Sequence, residues 1–299
     1  MRAIQNGREW HQLGRHFNFD VHKIFYVDAG HHDAPVILFL HGFPTSSYDF
    51  CRLVPQLAQN FRVILPDFLG FGFSDKPSRH RYSIFEHADV VEALAKICEC
   101  EIFFLLTHDM GNSVGLELLR RKRLRVSRYL MLNGGVLLKY YQPVLSQRLL
   151  QVPIIGEIFS RLISYKLFAR QFSSVFAPNK VPSPAELNAL WQLMNYNNGK
   201  RNYAKLIRYI KERKIYENEW LEALRTSHVA FKIVWGQQDP VATPMIGRAL
   251  LEYRPDAELI ELAEAGHYPQ LEVPEILVHE TKKFFIKQTS AHKSTFSIA

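Results

Sequence analysis

The chain has 299 residues, 47% of them apolar, a formal net charge of +8 and three cysteines. This composition is ordinary for a globular protein and excludes a disordered, collagen-like or disulfide-stapled chain. No stretch approaches the roughly 18 apolar residues of a membrane span, and the first residues, MRAIQNGREWHQLGRHF, lack the apolar core of a secretory signal. Cys51, Cys98 and Cys100 follow no metal-ligand spacing, so a reduced, cytoplasmic setting is the expectation. The excess charge lies in Arg120-Arg121-Lys122-Arg123 and between Lys200 and Lys214. A basic face can attract nucleic acid or anionic lipid. With no zinc-finger, RRM or helix-turn-helix pattern beside them, both runs read as solvated helix faces, and no nucleic-acid partner is expected.

Residues 15–29 alternate and predict two strands of an antiparallel edge. PVILFL (35–40) is a short buried strand ending at His41-Gly42-Phe43-Pro44. Residues 50–59 read as helix, and FRVIL (61–65) as the next strand, running into the glycine-bearing loop Pro66 to Pro77. An amphipathic helix is expected over 84–98, a buried strand over 102–106, then a break at Thr107-His108-Asp109-Met110-Gly111 and a second helix. RYLML (128–132) is another strand. Residues 137–225 contain no clear strand but several helical segments, aromatics and prolines. The alternation resumes with AFKIVW (230–235), a helix over 244–253, a strand over 258–262 and a closing helix over 274–288, with a polar tail from Thr289.

Strands alternating with helices predict an α/β fold with a mostly parallel sheet flanked by helices. The organisation expected is a first core part (1–136), an inserted helical cap (137–226) and a second core part (227–299). Ligands in such sheets bind beyond the carboxyl ends of the strands, where the chemistry-bearing residues fall. Asp109 sits in the strand–turn–helix context of a nucleophile elbow. A carboxylate there is ionised at neutral pH and can attack carbon without a base to activate it. Asp also caps helices well, so Asp109 alone decides nothing. Asp239, in Gly236-Gln237-Gln238-Asp239-Pro240, and His267, in Glu264-Ala265-Gly266-His267-Tyr268-Pro269, each follow a strand. Together the three give the order nucleophile, acid, histidine. The backbone N–H groups of Phe43 and Met110 are the candidates for an oxyanion hole. Such a site needs no metal and no organic cofactor.

These motifs resemble the α/β-hydrolase superfamily, in the branch of epoxide hydrolases and haloalkane dehalogenases. The runs His41 to Asp49, Asp67 to Pro77, Tyr82-Ser83-Ile84-Phe85-Glu86 and His267 to Glu272 resemble the mesoderm-specific transcript group and its bacterial relatives. The resemblance implies catalytic Asp109, Asp239 and His267, with His41 as a substrate-binding residue. Its elbow departs from the pattern: Thr107 stands where Gly is usual. Met110 stands where both enzyme families place Trp, and Phe43 where dehalogenases place Asn. The usual halide donors are therefore missing, which favours opening of an epoxide on a small apolar molecule over dehalogenation. Epoxide hydrolases protonate the alkoxide with cap tyrosines; Tyr209 resembles the second of these and Tyr165 is the candidate for the first, with Tyr140, Tyr141 and Tyr196 left open. A haloalkane dehalogenase-type reaction and a non-catalytic binding or signalling role are the alternatives. A serine esterase lacks its serine, and Gly70-Phe71-Gly72 lacks both the third glycine and the following helix of a dinucleotide site.

Overall fold

The computed structural model describes residue 4 and residues 6–286. The tail expected from Thr289 and positions 287–288 of the closing helix lie outside the described residues. Eight strands form one sheet: β1 (Gly14–Phe19), β2 (His22–Ala29), β3 (Val36–Leu40), β4 (Arg62–Pro66), β5 (Ile102–Thr107), β6 (Arg125–Leu132), β7 (Ala230–Gly236) and β8 (Glu258–Leu262). Their order is β1-β2-β4-β3-β5-β6-β7-β8. β2 runs antiparallel to both β1 and β4, and the six strands from β4 to β8 are parallel. β4 is buried at every position and β3 at all but its first. Covered on both faces, such strands are written as unbroken apolar runs, which is why they are legible without alternation. From β3 the chain steps outward to β4 and then back across to β5, so the sheet's switch point lies between β3 and β5.

Two expected helices are shorter than their sequence patterns. The 50–59 segment divides into a tight turn, Ser47–Phe50, and a four-residue helix, Val54–Leu57. Pro55 is tolerated only in a helix's first turn, so the helix cannot run through it from residue 50. The 244–253 segment is α-helical only over Pro244–Ala249 and tightens over Leu250–Glu252. The helix before β1 and the short helix Pro269–Glu272 were not expected. Gly7–Leu13 starts where the Asn6 side chain accepts from the Glu9 N–H at 3.0 Å, and it buries Trp10, whose indole donates to Ser47 Oγ at 3.1 Å.

Between β6 and β7 the chain is helical, apart from one bridge from Tyr141 to Ala242. The last of these helices, Tyr209–Thr226, packs along Met110–Arg121, the helix that follows β5. Trp220 donates to the buried Glu117 on that helix at 2.9 Å. The basic run beginning at Arg120 is partly spent in the same place: Arg120 and Arg121 each meet Glu117 at 2.7 Å. Among the described residues no helix is long and apolar enough to cross a membrane.

Candidate active site

The turn after β5 is sharp and closely packed. Asp109 has φ 46° and ψ −110°, a backbone state that non-glycine residues seldom adopt. Close packing enforces it. A Cβ on Gly111 would come within 2.3 Å of the Leu40 carbonyl oxygen, and one on Gly134 within 2.8 Å of Asp109 Cα. Only glycine lets β3 and the loop after β6 close on the elbow from either side. Thr107, where glycine is usual, is accommodated because its hydroxyl joins a buried cluster, 2.6 Å from Asn112 Oδ1 and 2.9 Å from the Tyr129 hydroxyl.

The elbow aims a buried carboxylate at the loop after β3. The Phe43 N–H donates to Asp109 Oδ2 at 3.0 Å. Met110 is the first residue of its helix, where backbone N–H groups have no intrahelical acceptor. Burial alone would push the Asp109 carboxyl up, but Arg213, His267, His108 and the Phe43 N–H together hold it below the usual carboxylate range.

His267 and Asp239 meet at the ends of β8 and β7. The imidazole Nδ1–H donates to Asp239 Oδ2 at 2.6 Å. The other carboxylate oxygen accepts from the Val241 and Ala242 N–H groups at 2.8 and 2.9 Å. Asn133, at the end of β6, ties three strand ends together. Its Nδ2 donates to Asp239 Oδ2 at 2.8 Å, its Oδ1 accepts from the Gly236 N–H at 2.7 Å, and its carbonyl accepts from the Asp109 N–H at 2.8 Å. Glu272 fixes the histidine loop by accepting from the Gly266, Tyr268 and Ala177 N–H groups. Burial would depress the His267 pKa, but the carboxylates of Asp239 and Asp109 outweigh it and raise the imidazole to about 9. His108 is the opposite case: burial and the neighbouring His267 lower it to about 3. Its Nε2 faces the His267 carbonyl oxygen at 2.7 Å, which can only accept, so His108 is a neutral Nε2–H tautomer.

Arg213 is the residue the sequence reading missed. Fully buried, it places Nη2 3.6 Å from Asp109 Oδ1 and donates to the Asp109 carbonyl at 2.8 Å, while Nε donates to Ser113 Oγ at 2.7 Å. Its sequence neighbours Lys211, Glu212 and Lys214 disguise it as one more solvated charge. The usable signal was helical spacing: Tyr209, Arg213, Trp220 and Leu224 recur on one buried stripe.

The expected tyrosines separate. The guanidinium of Arg213 lies over the ring of Tyr209, 4.6 Å from its centroid. The Tyr209 hydroxyl is buried and meets no partner at full hydrogen-bond geometry among the described residues, the Asp109 carboxylate being the acceptor near enough to act on it. Burial, then the Asp109 carboxylate, drive that phenol well above its usual range. Tyr141 also feels burial first and then the Asp109 charge, although its hydroxyl donates to Gln147 at 2.9 Å. Tyr165 lies elsewhere, with its hydroxyl 3.4 Å from the Pro184 carbonyl at an exposed position and its ring against Trp191. The sequence expectation for it fails because helical periodicity could not say which face of Tyr165–Ser173 turns inward. His41 is also displaced from the role expected of it. It is fully buried; Nδ1–H donates to the Gly42 carbonyl at 2.8 Å and Nε2 accepts from the Phe68 N–H at 3.0 Å. Both ring nitrogens are thus spent on holding the loop after β3.

Phe43, His267 and Tyr268 open onto a cavity of about 80 Å³ whose remaining walls are largely apolar, including Leu150, Phe159 and Phe172 from the helical insertion. Among the described residues no group of three or more His, Cys, Asp or Glu side chains is arranged to hold a metal.

Comparison with known proteins adds a family. The family model described as alpha/beta hydrolase fold matches residues 35–274. The chain is similar to the putative hydrolase LipZ of Mycobacterium tuberculosis, 41% identical over 272 residues that span 89% of this chain and 93% of that one. It is 37% identical over 279 residues to the human mesoderm-specific transcript homolog protein, spanning 89% of this chain and 83% of the relative. Among solved structures, the haloalkane dehalogenase DbeA from Bradyrhizobium elkani superposes with a TM-score of 0.81 at 22% identity, covering 93% of this chain and 99% of the other.

Proposed function

The chain belongs to the α/β-hydrolase family, and on that premise we propose that it is a cofactor-independent hydrolase that opens an epoxide on a small apolar molecule through an ester at Asp109. The observation that carries the reading is the ionised Asp109, held in a strained turn at the end of β5, with Oδ2 on the Phe43 N–H and with His267–Asp239 on neighbouring strand ends. Because Oδ2 is seated on that N–H, it becomes the ester carbonyl oxygen, and Oδ1 attacks the epoxide carbon. The ring C–O bond breaks and its electron pair leaves on oxygen as an alkoxide, which takes the proton of the Tyr209 hydroxyl. The lack of any partner at full hydrogen-bond geometry for that hydroxyl supports the assignment, as do Phe43 and Met110 standing where dehalogenases carry halide donors.

The second half is hydrolysis. While Asp109 is charged, His267 is held as a cation between carboxylates. Esterification removes the Asp109 charge, so the imidazole becomes easier to deprotonate at the step that needs a base. The imidazolium gives its proton, through solvent, to the Tyr209 phenolate left by ring opening, and the neutral His267 then takes a proton from water as the water oxygen attacks the ester carbonyl. The resulting oxyanion is met by the Phe43 and Met110 N–H groups; on collapse the acyl C–O bond to the substrate breaks, the added hydroxyl's proton passes to the departing alkoxide, and the diol leaves with Asp109 again a carboxylate, His267 a cation and Tyr209 a phenol. The helical insertion over the site acts as the cap that keeps the substrate in an apolar enclosure.

A single turnover in oxygen-18 water tests this. The label is expected first in the Asp109 carboxylate, and His267→Gln is expected to accumulate one ester per chain on treatment with a reactive epoxide. Label passing directly into the diol, with no ester on Asp109 in the variant, would refute the covalent route.

A further inference from the structure

The helices that wall the cavity also carry the molecule's concentrated exposed apolar surface. Six of the fifteen large apolar side chains exposed among the described residues fall between 145 and 162: Leu145, Val152, Ile154, Ile155, Ile158 and Leu162. The other nine are scattered along the chain. Ile155, Ile158 and Leu162 recur at three and four residues on the outer face of the helix Ile155–Leu162, while Phe159 and, just past its end, Ile163 face the cavity. A helix apolar on both sides calls for a second apolar environment.

The turn that starts this helix is strained towards the same end. Ile154 has φ 65° and ψ −55°, and the Ile155 N–H bonds the Pro153 carbonyl at 2.7 Å, closing a three-residue turn of the rare hand. A β-branched residue in that state is a steric outlier. Here it projects a side chain that is 74% exposed, at the opposite end of the helix from Leu162, which is 73% exposed. Strain combined with apolar exposure has no benefit to the isolated chain.

Charge identifies what would cover the patch. Between 145 and 170 the sequence carries Arg148, Arg161, Lys166 and Arg170, all exposed, against the single acid Glu157. Exposed apolar side chains carried on the same segments as an excess of exposed cations, with Glu157 pairing Arg161 at 3.9 Å, complement the acyl boundary and headgroups of an anionic bilayer. We propose that this face, formed by the helices Leu145–Gln151 and Ile155–Leu162, docks on an anionic lipid surface, so that an apolar substrate passes from the bilayer into the adjoining cavity. Docking does not depend on the reaction proposed above, and its measurement involves no substrate; only the delivery of substrate rests on that reading.

The test is co-sedimentation of the full chain with vesicles of phosphatidylcholine containing phosphatidylglycerol, beside vesicles of phosphatidylcholine alone. The wild-type chain is expected to bind the anionic vesicles and to be released as salt rises. Ile158→Glu with Leu162→Glu is expected to lower the bound fraction about tenfold or more, since charges replace inserted side chains. Leu145→Glu, on the other helix, should act in the same direction. All these side chains are exposed, so circular dichroism and melting temperature should match the wild type. The proposal is overturned if the wild-type chain ignores anionic vesicles, or if the glutamate variants bind as well as it does. It is overturned equally if sedimentation velocity finds a wild-type dimer that Leu162→Glu dissociates, because the patch would then belong to a second copy of the chain.

Discussion

Arg213 Nη2 stands 3.6 Å from Asp109 Oδ1 and donates to the Asp109 carbonyl oxygen at 2.8 Å, so one guanidinium holds both the main chain and the charge of the elbow. Removing one member of a buried ion pair leaves the other uncompensated, at a cost of about 3–5 kcal/mol. Arg213→Met is expected to lose stability of that order in urea unfolding. Without the cation, burial is left to raise the Asp109 pKa. The rate of ester formation should then fall at neutral pH and develop an acid limb displaced upward from that of the wild type. Arg213→Lys keeps the charge and should lie between the two. Ester formation by a folded Arg213→Met protein with an unshifted pH profile would remove Arg213 from this role.

Tyr209 separates stability from chemistry. Its hydroxyl is buried without a partner at full hydrogen-bond geometry, a condition that costs roughly 1 kcal/mol or more. Tyr209→Phe should therefore leave unfolding unchanged or make the protein slightly more stable. Loss of a positioned acid should nonetheless slow epoxide opening by about 10²-fold. A substrate whose leaving group needs no proton should be nearly unaffected. Equal losses on both substrate types, or a destabilised variant, would show that the phenol packs and does not donate.

The His267–Asp239 pair predicts a stability slope on the alkaline side. His267 rises from 6.5 to about 9 on folding. A raised pKa contributes stability that is fully present below the unfolded value and is lost as pH climbs through the folded one. The decline between pH 6.5 and 9 should be on the order of 2–3 kcal/mol, because each tenfold gain in proton affinity on folding is worth about 1.4 kcal/mol. Urea midpoints across that range measure it, and Asp239→Asn should flatten the curve. Asp109, held below its usual range, acts in the opposite sense and loses its contribution only as the pH falls into the acid region. A flat wild-type curve between 6.5 and 9 would mean that His267 is not held as a cation.

The central parallel strands were readable because burial on both faces writes them as apolar runs, and Asp109, Asp239 and His267 stood out as candidates because each follows a strand. What escaped was everything that depends on which way a helix faces. Arg213 is surrounded in sequence by Lys211, Glu212 and Lys214, so nothing local distinguishes a buried cation from exposed ones. Tyr165 and Tyr209 both begin helices, yet Tyr209 turns toward Asp109 and Tyr165 toward Pro184. His41 lies in a motif that suggests ligand contact, and its commitment to Gly42 and Phe68 appears only when β3 and β4 are brought side by side. Asn133 is one of several polar residues ending strands. Its bonds to Asp109, Gly236 and Asp239 become visible only with β5, β6 and β7 in register.

The contact between the helix Tyr209–Thr226 and the helix Met110–Arg121 also limits how the enclosure can admit a guest. Arg213 and Trp220 rivet that part of the insertion to Ser113, Asp109 and Glu117. A wholesale hinge of residues 137–226 would tear the guanidinium from the elbow. Any opening therefore falls to the other end of the insertion, where Leu150 and Phe159 wall the cavity, while the anchored helix stays in place.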